Sequence, residues 1–287
     1  MPAPAIYGII GFPLKHSLSP LMHNAAFKAL KVNAVYKTFE LKDDEELKLF
    51  FEDLKEENNP IFGLNITVPY KEKVLPFLDS MDPFAQKVGA VNTLMITHQR
   101  KILGFNTDGP GFISHLRELK FDLKDKRIAI LGAGGTTRSI LSVLCMVNPK
   151  PSSIKLYNRT FNKAKSLVED LAQRIDTSNI EVVGNVDDLN VELADCLINT
   201  TSVGLNGEEN ILVDPANIHP DMLVYDVIYN PAQTALLKIA KAKGARTANG
   251  LGMLYYQGVL AFNQWAGMDI DDKYKKIMRQ SIEEGKK

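Results

Sequence analysis

Residues 127–139 read RIAILGAGGTTRS. An aliphatic run stops at a cluster of small residues, and the pattern TTRSILSVLCMV (136–147) takes over at once. Strand, glycine turn and helix in direct succession is the opening of a βαβ unit. The pattern continues along the chain. SIKLYNR (153–159) reads as a strand, NKAKSLVEDLAQRI as a helix, and IEVVGN, ADCLINTTS and MLVYDVIYN as further strands. This order implies a parallel sheet covered by helices on both faces.

The first hundred residues alternate in the same way. AIYGIIG (5–11) is expected to be a buried strand, followed by SLSPLMHNAAFKALK with Ser19 as N-cap and Pro20 at the first helical position. VYKTFEL (35–41) alternates as a strand does, and DDEELKLFFEDLKEE (43–57) is an amphipathic helix with acids in its first turn. IFGLNIT (61–67) is the third strand, and NTLMIT (92–97) with KILGFN (101–106) suggests a hairpin across HQR. The polar stretch NTDGPGF (106–112) marks the boundary between the two series. The fold class is therefore α/β, in two domains.

Composition removes several classes of function. The 34 basic and 34 acidic residues cancel, leaving no net field to draw the chain to nucleic acid. No apolar run approaches the ~18 residues that span a bilayer, and MPAPAIYGII lacks the basic n-region of a signal peptide. Two cysteines, Cys145 and Cys196, make no disulfide framework, and the five histidines show no metal-ligand spacing, so no metal is expected. Together these give the expectation of a cytoplasmic α/β protein, either monomer or homodimer.

The glycine turn carries the first chemical reading. Gly132 permits a tight turn, and Gly134 lets the backbone approach a pyrophosphate held at the helix N-terminus. The third glycine of the dinucleotide fingerprint falls on Thr137, a departure from the full pattern. The second strand ends in Asn158, Arg159 and Thr160 rather than the Asp or Glu that would accept from a ribose 2′-hydroxyl. A guanidinium pairs with a 2′-phosphate, and Lys163 adds charge one turn on, so NADP(H) is expected in preference to NAD. This part of the chain is Rossmann-like.

A nicotinamide enzyme without flavin or metal must move the alcohol or ketone proton with a side chain. In GLNITVPYKEK (63–73), Lys71 stands where a strand gives way to a turn, a position that can aim it into a cleft. The carboxylate assigned to hold it is Asp108 of GFNTDGPG (104–111), although spacing alone does not single it out among 34 acids.

At this point the chain resembles the shikimate dehydrogenase family almost end to end. GFPLKHSLSPLMHN (11–24) is similar to that family's substrate loop and GLNITVPYK (63–71) to its catalytic lysine segment. GAVNTL (89–94), GFNTDGPG, GAGGTTRS, NRT, NTTSVGL (199–205), DVIYNP (226–231) and GLGMLYYQG (250–258) match in the same order. The resemblance implies NADP(H)-dependent interconversion of 3-dehydroshikimate and shikimate, with Lys71 and Asp108 as the catalytic pair. It implies that Ser17, Ser19 and Tyr229 meet the substrate carboxylate, with Thr67 supporting that end. Asn65, Asn92, Asp108 and Gln257 would contact the ring hydroxyls. The cofactor set it implies is Gly132, Ala133, Gly134, Gly135, Thr136, Asn158, Arg159, Thr160, Lys163, Thr200 and Gly250.

The resemblance also implies a discontinuous substrate domain, residues 1–107 plus 250–287, with an NADP domain at 108–249. Thr136, Thr137, Lys163 and Leu205 depart from the usual family pattern, and cofactor affinity is the property these changes touch. Other residues receive plain structural readings. Glu72 and Lys73 are expected as solvated helix residues, His16 and His23 as ordering or packing groups, and both cysteines as core. Phe262 and Trp265 are expected at the junction with the first domain. The alternatives are a dual-specificity quinate/shikimate dehydrogenase and a non-catalytic NADP-binding regulator.

Overall fold

The computed structural model describes residues 3–15, 17–207 and 210–285, so His16 lies outside the described residues. The chain divides into two compact units, Met1–Gly111 with Leu254–Lys287, and Phe112–Met253.

In the first unit the strands are β1 (Ala5–Gly11), β2 (Ala34–Glu40), β3 (Ile61–Ile66), β4 (Ser80–Met81), β5 (Thr93–Ile96) and β6 (Ile102–Phe105). They form one sheet in the order β2-β1-β3-β5-β6-β4. β1 pairs in parallel with β2 and β3, and β4 with β6, while β5 runs antiparallel to β3 and β6. The hairpin expected across residues 98–100 is this β5–β6 pair, with Arg100 at φ 61° in its turn.

Register explains why β3 carries polar residues inside an apolar run. Side chains alternate between faces, so Leu64 and Ile66 enter one core with Ile10, Phe51 and Tyr70. Tyr7 is aligned with Tyr36 and Gly63, and Ile9 with Thr38 and Asn65, which puts Tyr36, Gly63 and Asn65 on the opposite face. The helices α1 (Ser19–Leu30) and α8 (Leu251–Ala266) cover that face. A Cβ on Gly63 would lie 2.5 Å from Trp265 Nε1, which donates to the Leu94 carbonyl at 2.8 Å. Phe262 is buried against Phe27 and His23 in the same layer.

Two local expectations are corrected. The N-cap of α1 is Leu18 rather than Ser19, and Ser19 is instead the first helical residue, with Pro20 following it. The hydroxyl that serves this end is that of Ser17, whose Oγ accepts from the Ser19 amide at 3.4 Å. Glu72 and Lys73 are exposed but sit in a turn, not a helix, because a short 3₁₀ segment begins only at Leu75. Helix α2 (Asp44–Asp53) does have a side-chain cap: Asp43 accepts from the amides of Glu45 and Glu46. Helix α3 (Pro83–Val88) is capped likewise by Asp82, and helix α4 (Asp108–Glu118) begins at the expected carboxylate. Helix α9 (Asp272–Glu284) ends the described chain and packs on α1.

The second unit is built on β7 (Arg127–Leu131), β8 (Ser153–Tyr157), β9 (Ile180–Val183), β10 (Cys196–Asn199), β11 (Leu223–Asp226) and β12 (Arg246–Asn249). All neighbours are parallel and the order is β12-β11-β10-β7-β8-β9. Numbered from the first strand of the unit, this is the doubly wound order of a dinucleotide-binding fold. Helices α5 (Gly135–Met146), α6 (Phe161–Ala172) and α7 (Ala235–Ala242) connect it. The order reverses between β7 and β10, and at such a switch point ligands bind beyond the carboxyl ends of the strands.

Candidate active site

β3 ends at Ile66, and after Val68 and Pro69 the chain turns so that the Lys71 carbonyl accepts from the Val91 amide at 2.8 Å. This ties the lysine segment to the GAVNTL segment. The lysine side chain is 9% exposed, and its Nζ lies 2.5 Å from Asp108 Oδ2, whose side chain is equally buried. Desolvated ion pairs of this kind are stable only when further hydrogen bonds satisfy the partners. Asn92 supplies one, its Nδ2 donating to Asp108 Oδ1 at 2.9 Å. The spacing of Lys71 and Asp108 did not distinguish this carboxylate from others; the fold brings the two together.

Asn92 is the hub of the site. Its Oδ1 accepts from the Thr107 amide at 2.7 Å, while Nδ2 also faces Thr107 Oγ1 at 2.9 Å and Gln257 Oε1 at 3.3 Å. The protein thus occupies most of this amide's capacity. Its longest contact, to Gln257, is the one a ligand hydroxyl would replace at least cost. Gln257 comes from α8, and its backbone packs so tightly on α4 that a Cβ at Gly111 would lie 2.8 Å from the Gln257 nitrogen. The small residues after Asp108 therefore allow the late helix to bring its amide to the pair.

Asn65 joins the hub through Thr93, donating from Nδ2 to Thr93 Oγ1 at 3.2 Å and to the Asn92 carbonyl at 3.3 Å. Its Oδ1 accepts from the Tyr36 hydroxyl at 2.7 Å. Burial raises the Tyr36 phenol well above the usual range, so the proton stays on. Thr67 is half-buried, and among the described residues its hydroxyl has no protein partner. Tyr36, Thr93 and Thr107 are members of this network that sequence reasoning missed. The alternation around Tyr36 gave only a strand, and Thr107 stood unremarked beside Asp108.

In the second unit β7 runs into Gly132, whose φ of 107° favours glycine. Ala133 is buried, Gly134 is the N-cap of α5, and Gly135 and Thr136 open the helix half-buried. A Cβ at Gly134 would meet nothing within 4 Å, so the bare backbone faces open space at a helix N-terminus. Thr137, where a third glycine would stand, is fully buried. Its Oγ1 accepts from the Gly134 amide at 3.0 Å and lies 2.7 Å from Thr200 Oγ1, which in turn donates to the Leu131 carbonyl at 2.6 Å. Because the Thr200 proton goes to that carbonyl, Thr137 must donate to Thr200. The departure at Thr137 is therefore internal wiring of the turn and does not obstruct its ligand face.

Beyond β8, Asn158 Nδ2 donates to the Thr160 carbonyl at 2.9 Å and shapes the turn into α6. Thr160 is the N-cap of α6, yet its side chain makes no cap hydrogen bond. Arg159, Thr160 and Lys163 are exposed, and among the described residues neither cation has a carboxylate partner. A free guanidinium, a free hydroxyl, an ammonium and a helix N-terminus fit a phosphate monoester. These residues fit NADP(H).

Tyr229 is half-buried in the loop after β11, and Asp226 anchors that loop. The Asp226 carboxylate accepts from Thr234 Oγ1 at 2.7 Å, Asn199 Nδ2 at 3.1 Å and the Ile228 amide at 3.1 Å, and burial raises its pKa against these bonds. The loops bearing Thr200 and Tyr229 are thereby laced to one carboxylate. Gly250 has a structural reason to be glycine, since a Cβ there would lie 1.9 Å from the Val227 carbonyl oxygen.

Residues 9–94 match the shikimate dehydrogenase substrate binding domain, and residues 115–216 match shikimate / quinate 5-dehydrogenase. The shikimate dehydrogenase (NADP(+)) of Carboxydothermus hydrogenoformans is 43% identical over 280 residues, covering 96% of this chain and 95% of that protein. The crystal structure of shikimate dehydrogenase from Aquifex aeolicus superposes with a TM-score of 0.86 at 38% identity, covering 97% of each chain. That of shikimate 5-dehydrogenase from Thermus thermophilus, in complex with NADP(H) and shikimate, gives 0.81 at 32% identity over 97% of this chain and 98% of the other. At such identity over nearly the whole length of both partners, the chain belongs to the shikimate dehydrogenase family.

Proposed function

We propose that the protein is an NADP-dependent shikimate dehydrogenase, an oxidoreductase that reversibly reduces 3-dehydroshikimate to shikimate for aromatic amino acid biosynthesis. The observation that carries this reading is the buried Lys71–Asp108 pair at 2.5 Å, set among amides suited to a polyol. Bound NADPH supplies the hydride. Lys71 Nζ donates its proton to the substrate's carbonyl oxygen during reduction and takes it back from the alcohol during oxidation. Asp108 holds Nζ in place, and Asn92 holds Asp108. Positioning of this kind contributes about 10²–10⁴-fold when the group is a general acid.

Asn65, Gln257 and Asp108 meet the ring hydroxyls in this reading, and a ligand lacking them would leave buried polar groups unpaired, which is heavily penalised. Ser17, Ser19 and Tyr229 receive the carboxylate, with Thr67 offering a hydroxyl that no protein group uses among the described residues. The uncommitted Arg159 and Lys163 support NADP over NAD. No helix among the described residues is long and apolar enough to cross a membrane, in keeping with a cytoplasmic location. A monomer or a homodimer would satisfy this chemistry equally.

The test is oxidation of shikimate and of quinate, each with NADP and with NAD, followed by reduced-cofactor absorbance. Activity confined to shikimate with NADP is expected, and Lys71→Ala should lower it about 10²–10⁴-fold while NADPH binding persists. Comparable quinate turnover with NAD would move the protein to the dual-specificity reading. No turnover with any pair would leave only cofactor binding.

A further inference from the structure

β2 is an edge strand, so the amide and carbonyl of Tyr36 that point away from β1 have no strand to pair with. Asn24 of α1 stands in for one. Its Oδ1 accepts from the Tyr36 amide at 2.8 Å, and its Nδ2 donates to the Tyr36 carbonyl at 3.0 Å. The ring is fixed as well, because it is 2% exposed and stacks on His23 at a centroid distance of 4.5 Å and 15°. Held at backbone and ring, the phenol places its oxygen 2.7 Å from Asn65 Oδ1. A carbonyl oxygen cannot donate, so the phenol gives its single proton to Asn65.

Donors and acceptors around Asn65 can be counted. The Asn92 backbone carbonyl can only accept, so the Asn65 atom 3.3 Å from it is Nδ2. That carbonyl already accepts from the Ile66 amide at 2.8 Å, which makes the longer contact a weak hold. The other Nδ2 contact, at 3.2 Å, is to Thr93 Oγ1, a hydroxyl that can accept or donate and so tolerates either sense of the amide. The phenol bond is the shortest of the three and has a fixed sense. Were the amide turned over, the phenol proton would lose this acceptor inside a buried layer, which is heavily penalised. In the observed sense both Nδ2 protons and one Oδ1 lone pair are taken among the described residues, and one Oδ1 lone pair remains.

We infer that Tyr36 is a positioning residue whose phenol fixes the sense of the Asn65 amide, so that Asn65 meets a substrate hydroxyl as an acceptor and selects a ligand able to donate there. The inference rests on the proposed substrate role of Asn65. An amide free to turn reads a hydroxyl, an ether or a fluorine almost alike, since it can offer either its N–H or its oxygen. Asn65 has lost that freedom. A ring hydroxyl gives its proton to Oδ1, whereas a substituent that can only accept finds no free donor on this residue. With phenylalanine at position 36, only the long contact to the Asn92 carbonyl opposes the turn. The specificity of the site for a hydroxyl is thus set from β2, one residue behind the group that touches it.

The test crosses a change in the protein with a change in the ligand. Tyr36→Phe keeps the ring and its stack and removes only the phenolic proton. Binding of shikimate, and of the two analogues that lack one or other of the hydroxyls not being oxidised, is measured by calorimetry, with NADPH binding and the melting transition as checks of folding. Tyr36→Phe should weaken shikimate about tenfold and leave binding of one of the two deoxy analogues unchanged, because that analogue lacks the hydroxyl that Asn65 receives. Equal weakening of all three ligands would mean a merely structural role and overturns the inference, as does no weakening of any. Asn65→Ala separates the two levels of the reading. If it weakens shikimate while Tyr36→Phe fails the test, the substrate role of Asn65 stands and only the inference falls; if it does not, both fall. A second measurement needs no variant. In the natural chain, fluorine in place of the hydroxyl that Asn65 receives should bind no better than hydrogen, and binding within about twofold of shikimate would overturn the inference.

Discussion

His23 is fully buried, and among the described residues neither ring nitrogen has a hydrogen-bond partner. The ring lies face to face with Tyr36 and Phe262 and 5.0 Å from Trp265, an apolar setting that accepts a neutral imidazole and opposes a charged one. Burial accordingly lowers its pKa from 6.5 to about 3. Between those values the unfolded chain binds a proton at this position and the native chain does not. Stability therefore rises with pH across the window, and the contribution is lost as pH falls below the unfolded value. From pH 6.5 to pH 5 the lag is about 1.5 pH units, or about 2 kcal/mol at 1.36 kcal/mol per unit. His23→Phe keeps an aromatic ring and removes the titration. Urea unfolding at pH 7, 6 and 5 reads the effect directly, because the chain has a single tryptophan and it reports the layer around His23. Other histidines and carboxylates titrate in both proteins and cancel in the comparison. The gap between the two proteins should change by about 2 kcal/mol in favour of the variant on going from pH 7 to pH 5. Parallel pH dependences within about 0.5 kcal/mol would mean that native His23 accepts a proton. The reading of a dry, unpartnered imidazole would then be wrong, whatever the variant does to absolute stability.

The second unit gives two further expectations. Arg159→Ala should raise the Michaelis constant for NADP about 10- to 100-fold, the loss of a hydrogen bond to a charged group, and leave that for NAD nearly unchanged; equal effects on both would remove Arg159 from the 2′-phosphate. Thr137→Val keeps the volume but strands the Gly134 amide and deprives Thr200 of its donor, so unfolding stability should fall by about 1–3 kcal/mol and NADPH binding should weaken, while Thr137→Ser restores both. Unchanged NADPH binding in Thr137→Val would show that the hydroxyl chain does not shape the ligand face.

The parts legible in the sequence are those whose cause is local. RIAILGAGG carries its own strand, its own turn and a residue with φ of 107° at the first glycine. Asp43 and the acids behind it announce α2 because the cap bonds span only two or three residues. Where the cause lies elsewhere in the chain, the pattern misleads. Ser19 has the chemistry of an N-cap, but it is buried as the first helical residue, and Ser17 serves the helix end instead. Glu72 and Lys73 have helical composition, yet Lys71 must keep its carbonyl on Val91, which holds the segment as a turn. β12 went unseen because RTAN is short and polar, and only its pairing with β11 makes it a strand. Lys71 was legible as chemistry out of place; its carboxylate was not, since contact between residues 37 apart is a property of the sheet.

The two units solve the same problem by one device. Each holds a row of hydroxyl and amide groups whose proton directions are imposed by a backbone carbonyl that can only accept: Leu131 for Thr200 and Thr137, Asn92 for Asn65 and Tyr36. A lone hydroxyl can turn to suit water or ligand, whereas a member of such a row cannot turn without stranding its neighbour. Dipoles fixed in this way need no reorganisation when charge develops in a bound ligand, and that is where a preorganised site gains its advantage. It follows that isosteric changes within the rows, Thr137→Val or Tyr36→Phe, should cost more function than their volume suggests. Sequence alone cannot locate the rows, because threonine and tyrosine in strands are ordinary residues. What sets these apart is the acceptor at the far end, and that is a fact of the fold.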